Sequence, residues 1–261
     1  MAEGKPTLMN TIPSRRPYQG VIQILQFNWR SYVATAAAVG VALLALPFLP
    51  SPGRIVLLLG IAPALFWMTS SLLVSHYVYD RSPLYDLSWV CSVLSRTPQR
   101  WINIHCGLDE TSAILAAIFP NAASQVVDIF DPLVMTETSI RAARRVTHQT
   151  IPSTLMRYDS ITFPGESFDA AFSIFAAHEL RRHHQRVTLF REIMRTLTSD
   201  GEFILMEHSR DWPNFLAFGP GFLHFFSQRA WRKAASDAGL TVRTELSMTP
   251  FVHAYIMRRA M

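Results

Sequence analysis

Two long apolar blocks lead the chain, and a series of short ones follows. Val33 to Leu49 and Ile55 to Val74 carry no charged residue, and Arg54 separates them beside Pro50, Pro52 and Gly53. A hydrocarbon core takes about 20 apolar residues per helix, with a lower limit near 17. The second block meets that length and the first only reaches it, so the pattern predicts a two-helix hairpin over 33–75. Helices apolar on every side need lipid or a large protein core around them. The remaining chain is committed to a core of its own, which favours the membrane. Pro47, Pro63 and the shortness of the first block leave a re-entrant, one-leaflet hairpin open. Ahead of it, GVIQILQFNWR (20–30) alternates apolar and polar positions, with Phe27 and Trp29 suited to the headgroup level. It reads as an interfacial helix or as a helix packed on the domain that follows.

From about residue 98 the apolar blocks shorten to strand length and alternate with stretches of helical spacing. WINIHC (101–106), QVVDIF (125–130), TLMRYD (154–159), FDAAFSIF (168–175) and EFILMEH (202–208) read as strands. ETSAILAAIF, TETSIRAARRV and HQRVTLFREIMRTL read as the intervening helices, and SDG (199–201) as a turn. RKAASDAGL, TVRTELSM and FVHAYIMRR fit a last helix and two closing antiparallel strands, with Gly239 at a helix C-cap. Strands buried on both faces and joined through helices form parallel sheets, so the fold class is α/β with a doubly wound, mostly parallel sheet. The organisation that follows is an N-terminal cytoplasmic or interfacial segment (1–32, polar to about residue 17) and the hairpin (33–75). A juxtamembrane helix or lid (76–97) and the α/β domain (98–261) complete it.

Composition sharpens this picture in two places. Hydrophobic residues make up 49% of the chain and charged ones 16%, with a formal net charge of +5. No aromatic-basic nucleic-acid module accompanies the positive charge, so its natural partner is an anionic lipid surface and no nucleic acid is expected. Arg15, Arg16 and Arg30 precede the hairpin, and Arg81, Arg96 and Arg100 follow it. The positive-inside rule then places both ends, and the α/β domain, in the cytoplasm. SRRPYQ has the look of a twin-arginine export signal, but the apolar run begins too late after it. Cys91 and Cys106 provide no disulfide framework, as suits a reducing compartment.

The chemistry gathers where the strands end. WINIHCGLD (101–109), VVDIFDP (126–132) and DSITFPGESFDAAFSIFAAH (159–178) each run from apolar to polar at a carboxyl end, the edge where parallel sheets bind ligands. In order and spacing they resemble class I S-adenosylmethionine (SAM) dependent methyltransferases. Residues 157–180 and 190–208 resemble the subgroup that includes ubiquinone and menaquinone C-methyltransferases. The resemblance covers about 98–258 and implies a seven-stranded Rossmann-like sheet with SAM as cofactor. The family carries an acid and then three alternating glycines; this chain has Asn103, His105, Gly107 and Asp109 there, so only Gly107 is kept. By the resemblance, Asn103, His105 and Gly107 line the cofactor turn, while Asp109 and Glu110 suit a helix N-terminus. Asp131 holds the ribose hydroxyls, with Asp128 its competitor and a helix cap its alternative role. Asp159 and Ser160 read the adenine. Asp169 ties a strand start, and Glu192 and Arg195 form a structural pair. Tyr79 and Tyr85, with Asp80 and Asp86, resemble a tyrosine–aspartate helix that closes over the cofactor; an aromatic belt at the bilayer explains the first of them equally well.

Three histidines are candidate bases: His178 after strand four, His208 at the end of strand five and His224 beyond it. Positioning alone is the equal alternative. No metal is expected, because His178, His183 and His184 do not stack on one helix face and Arg181, Arg182 and Arg186 surround them. SRDWPNFLAFGPGFLHFF (209–226) is dense in rings, among them Trp212, Phe218 and Phe222, and reads as a lid over a greasy acceptor or against lipid. The expectation is a membrane-anchored methyltransferase acting on a lipophilic small molecule, with membrane lipid as its other partner. A non-catalytic scaffold with a degenerate site, and a membrane-localised protein methyltransferase, are the alternatives.

Overall fold

The computed structural model describes residues 15–146 and 151–260. The polar segment expected over 1–17 lies mostly outside them. Helices α1 (Gln19–Ala45) and α2 (Ser51–His76) form the predicted hairpin. The amphipathic segment and the first apolar block are one helix, bent at Asn28 (φ −118°, ψ 15°), whose side-chain amide donates to the Ile24 carbonyl at 3.1 Å. A side chain competing for a carbonyl of the ladder is a recognised cause of such a bend. At the tip, Arg54 donates to the carbonyls of Leu49 (2.8 Å) and Pro47 (3.2 Å). The Tyr32 and Ser71 hydroxyls, 2.9 Å apart, tie the two helices. By length and composition both helices are able to cross a membrane, and few of their residues are buried; Phe48 at the tip is 87% exposed.

The α/β domain is the doubly wound sheet that the periodicity implies. Its strands are β1 (Arg100–His105), β2 (Ala123–Asp128), β3 (Thr154–Leu155), β4 (Phe168–Ile174), β5 (Leu197–His208), β6 (Leu240–Thr249) and β7 (Val252–Arg259). They lie in the order β3-β2-β1-β4-β5-β7-β6, parallel through β5, with β7 antiparallel to both its neighbours. Helices α3 (Val90–Val93), α4 (Ser112–Ile118), α5 (Thr138–Val146), α6 (His183–Thr196), α7 (Trp212–Phe218) and α8 (Gln228–Asp237) complete the chain. Side chains alternate across a strand, so each central strand feeds two cores. Ile102, Ile104, Phe203 and Leu205 pack with Phe190 and Trp231 on one face, and Trp101, Phe172 and Ile204 with Leu115 on the other.

Two local expectations need correction. The third strand keeps only Thr154–Leu155, because Arg157 and Asp159 turn toward each other instead of pairing with β2. Residues 199–201 do not separate α6 from a strand; they lie within β5, where the pairing with β4 jumps from Leu197 to Glu202. Other framing contacts match expectation. Asp169 accepts from the amides of Gln99 (2.9 Å) and Arg100 (3.0 Å) at the start of β1, and Glu192 pairs with Arg195 at 3.0 Å. Gly239, at φ +84°, closes α8.

The start of α1 is capped from the far side of the hairpin. Asp80 accepts from the amides of Gly20 (2.6 Å) and Val21 (3.3 Å), two donors that a helix N-terminus otherwise leaves unsatisfied. Gly20 permits the approach, since a Cβ there would lie 2.3 Å from the Tyr79 Cβ. Asp80→Ala is expected to weaken this docking by about 1 kcal/mol, the usual cost of a lost N-cap. Hydrogen exchange at Gly20 and Val21 should accelerate correspondingly; unchanged protection there would show that the carboxylate does not hold the helix.

Candidate active site

The site is assembled from the carboxyl ends of β1, β2, β4 and β5, with the 77–85 segment and the segment after β5 above it. After β1 the chain turns at Gly107, whose φ of +115° disfavours any side chain. A Cβ there would fall 2.1 Å from Nη1 of Arg144. That guanidinium reaches over from α5, donating to the Cys106 carbonyl (3.0 Å) and to Asp128 Oδ2 (2.6 Å), and it lies 4.2 Å over the Phe130 ring.

The residues that replace the usual acid and glycines are absorbed by the fold. Asn103 is buried, and its amide donates to the hydroxyls of Thr111 (3.0 Å) and Ser112 (2.8 Å), bracing the start of α4. Its Oδ1 has no hydrogen-bond partner among the described residues. His105 accepts from the Gly107 amide through Nδ1 at 2.9 Å, and burial lowers its pKa, favouring the neutral ring that this bond needs. Asp109 accepts from the amides of Thr111 and Ser112, so it caps α4. Glu110 turns the other way, pairing with Arg15 at 2.8 Å and accepting from Gln19 and Gln23 of α1. Arg15 in turn lies 4.0 Å over the Tyr85 ring.

The predicted acids fall in different surroundings. Asp128 is the buried carboxylate at the end of β2, holding Arg144 and the Phe130 amide (3.0 Å). Asp131 lies three residues on, half-buried, and accepts from the Leu133 amide at 2.9 Å in a local turn. Asp159 is gripped by both arms of Arg157 (2.8 and 2.7 Å), whose hydrogen bonds hold its carboxyl below the ordinary range. Ser160 closes the same loop through its amide, which donates to the Arg157 carbonyl at 3.2 Å.

The three histidines come together, but in unlike states. His178 has Nδ1 2.8 Å from Glu207 Oε2 and Nε2 3.4 Å from Glu179 Oε1, and its amide donates to Glu207 Oε1. Burial alone would lower its pKa; the two carboxylates outweigh that and hold it at about 10. The His224 ring stands 5.2 Å away, and burial with the neighbouring positive His178 and Arg181 drives it down to about 3. His208 has both nitrogens engaged, Nε2 with the Tyr79 hydroxyl (2.7 Å) and Nδ1 with Asn214 Oδ1 (3.2 Å), and burial lowers it to about 4.

Rings enclose this last histidine. Phe225 stacks on it at 4.7 Å, with Phe218 at 5.7 Å and Phe175 at 5.3 Å. Phe175 sits at the tip of β4 with φ +51°, a left-handed conformation that costs energy for a phenylalanine. That twist sets its ring against Tyr79 and Tyr85, at 6.0 and 6.3 Å. Of the lid rings, Phe218 joins the site. Phe222 packs on Phe215 at 5.1 Å, and Trp212, 67% exposed, stacks on the same ring at 5.2 Å. Arg144, Phe175, Glu179 and Asn214 escape the sequence reading. Arg144 shows there only as one more charge on a basic helix, and nothing in a single sequence announces a positive φ at a phenylalanine. Glu179, next to His178, is the one with a visible signal.

Residues 103–205 match the family described as Methyltransferase domain. Among solved structures, a SAM-dependent methyltransferase from Aquifex aeolicus is similar at a TM-score of 0.52 and 14% identity, covering 72% of this chain and 97% of that one. The PH0226 protein of Pyrococcus horikoshii OT3 is similar at 0.50 and 14%, covering 70% and 95%. Mitomycin 7-O-methyltransferase MmcR is similar at 0.53 and 14%, covering 99% of this chain and 76% of that one. No curated protein matches the chain. The distant structures speak for the fold, and the matched domain speaks for SAM as the cofactor.

The residues present fit that cofactor with one movable obstacle. Gly107 leaves its turn bare, and Asp128 offers a carboxylate able to accept two hydrogen bonds from a diol. The atoms filling the space, Arg144 Nη1, Cγ and Cδ, belong to a flexible side chain and not to backbone. Arg144→Ala is therefore expected to tighten SAM binding about tenfold or more, since a charge-assisted bond worth roughly 1.5–3 kcal/mol no longer competes for Asp128. Calorimetric titration of the full chain checks this; weaker binding would show instead that the guanidinium is itself a ligand.

Proposed function

We propose that the α/β domain of this chain is a class I SAM-dependent methyltransferase domain and that the chain methylates a lipophilic small molecule at a membrane face. The observation that carries this reading is the clasp between hairpin and lid. Trp67 of α2 meets Phe215 of α7 edge-on at 5.5 Å, and Ser70 donates to the Leu216 carbonyl at 3.4 Å. Gly219 lies so close to Trp67 that a Cβ would fall 2.6 Å from its ring. The stretch of α2 ahead of this contact, Ser51 to Phe66, is about 24 Å long at 1.5 Å per residue. A hydrocarbon core is about 30 Å thick. A spanning α2 therefore draws its Trp67–Ser70 turn, and α7 with it, to the edge of the acyl region. Trp212, Leu216 and Leu223, all exposed, suit that depth.

An acceptor dissolved in the leaflet would reach the site beneath the lid without crossing water. The arginines flanking the hairpin favour a cytoplasmic placement of the catalytic domain. The likeness of 157–180 and 190–208 to the quinone C-methyltransferases favours an aromatic, quinone-precursor-like acceptor. SAM supplies an electrophilic methyl group on a sulfonium. On this reading Asp131 or its competitor Asp128 would take the ribose hydroxyls, and Asp159 and Ser160 would meet the adenine edge. Tyr79, Tyr85 and Phe175 form an apolar wall that excludes water. His208, held by Tyr79 and Asn214, braces that wall, and His178 lies between two carboxylates. Neither has a nitrogen free to act as base, which leaves His224 as the histidine candidate beside orientation and exclusion of water. Arg144 over Gly107 is the one observation that favours a non-catalytic scaffold; absence of SAM binding in both the native chain and Arg144→Ala would establish that reading.

The full chain in lipid nanodiscs, supplied with methyl-labelled SAM and a lipid extract, should place label in the organic-soluble small-molecule fraction. Label retained on protein would overturn the proposed acceptor class. A fluorophore at Leu216→Cys, in a Cys91→Ser background, should be quenched by lipid-borne quenchers. One at exposed Arg229→Cys of α8 should not. Equal aqueous quenching of both would separate the lid from the bilayer.

A further inference from the structure

We propose that His178, Glu179 and His224 form a binding site for one divalent first-row transition cation. One ligand atom from each residue lies within 4.8 Å of the others, so a modest rotation of His224 brings the three to a common centre. The donor set is two imidazole nitrogens and a carboxylate oxygen, the cation displacing to solvent the proton that His178 Nε2 otherwise carries toward Glu179. That set suits zinc, iron, cobalt or manganese rather than magnesium or calcium, which prefer all-oxygen surroundings. Three protein ligands leave positions open for water or an acceptor oxygen.

Two features mark the site as built. The first is the bond from His178 Nδ1 to Glu207 Oε2 at 2.8 Å, which leaves Nε2 pointing at Glu179 Oε1, 3.4 Å away. A ligand histidine held by a carboxylate through its other nitrogen is the usual arrangement around protein-bound metals. The second is Glu179 itself. It is only 4% exposed, yet its Oε2 has no hydrogen-bond partner among the described residues. A buried carboxylate oxygen left so is costly unless something occupies its lone pairs.

Arg181 is the charge that opposes a cation here. Its Nη1 is committed to the carbonyls of His178 (3.1 Å) and His224 (2.6 Å), and its guanidinium lies 4.6 Å over Phe226. It thereby fixes the two histidine backbones relative to each other. Glu137, 4.0 Å from His224 Nδ1, and Glu207 add negative charge on the other side. His224 ends the Gly219–His224 turn after α7, whereas His178 and Glu179 follow β4. A cation held between them joins the lid to the sheet, so metal occupancy and lid closure are coupled.

The test uses the full, tag-free chain, stripped with a chelator and titrated with Co²⁺ by visible absorption and with Zn²⁺ by calorimetry. One equivalent should bind, with the absorption of a nitrogen- and oxygen-ligated cobalt. His224→Ala and Glu179→Gln should weaken binding at least about tenfold, and Glu207→Gln by about 10–100-fold, the range for loss of a carboxylate behind a ligand histidine. His183→Ala, a surface residue bound to Asp237, should leave metal affinity unchanged. SAM binding, measured alongside, reports that each variant is folded; where His224→Ala loses it, His224→Asn is judged by the same criterion. Absence of stoichiometric uptake by the native chain overturns the proposal, as does uptake that survives the histidine substitution in a folded variant.

Discussion

A sheet covered on both faces can bring reactive side chains to solvent only at its ends, because everything between lies in one core or the other. Alternate residues of β1 and β5 go to opposite clusters, and the polar groups of the site gather where the strands stop: His105 with Gly107, Asp128, His178, and Glu207 with His208. The position of the chemistry is thus a consequence of burial. Reactive groups from distant parts of the chain are brought close because neighbouring parallel strands end at similar heights. Glu207 makes this concrete, since one carboxylate at the end of β5 fixes both the backbone and the ring of a residue that follows β4.

The architecture was legible because periodicity reports burial, and burial is nearly all that this fold requires. Charge-free blocks gave the two long helices, and short branched runs gave the strands. What periodicity does not report is which way a polar side chain turns once its backbone is placed. The sequence reading prefers Asp131 to Asp128, yet it is Asp128 that ends its strand buried against an arginine while Asp131 closes a turn with the Leu133 amide. Asp159 illustrates the same limit, because its partner two residues earlier decides its surroundings. The left-handed twist at Phe175 sets its ring against Tyr79 and His208 from distant segments, information that no local window contains.

The departures from the usual cofactor turn have a common physical sense. An acid and two glycines are replaced by groups that bond within the turn: Asn103 to the start of α4, His105 to the Gly107 amide, Asp109 to the α4 amides. Rigidity that glycine-rich turns obtain from close packing against a ligand is supplied here by side-chain hydrogen bonds. A turn made this way keeps its shape before any ligand arrives. Only the arginine side chain above it must move.

The same turn is also where the N-terminal helix ends its reach. Glu110 receives Arg15, Gln19 and Gln23, and Asp80 holds the first amides of α1, while the far part of that helix runs out along the apolar hairpin beyond the bend at Asn28. The part of the molecule that would meet lipid and the loop beside the cofactor cradle are therefore connected in series by a single bent rod. On the proposed membrane reading, a change in hairpin tilt imposed by a thicker or thinner bilayer would be felt first at Glu110, beside the cofactor turn.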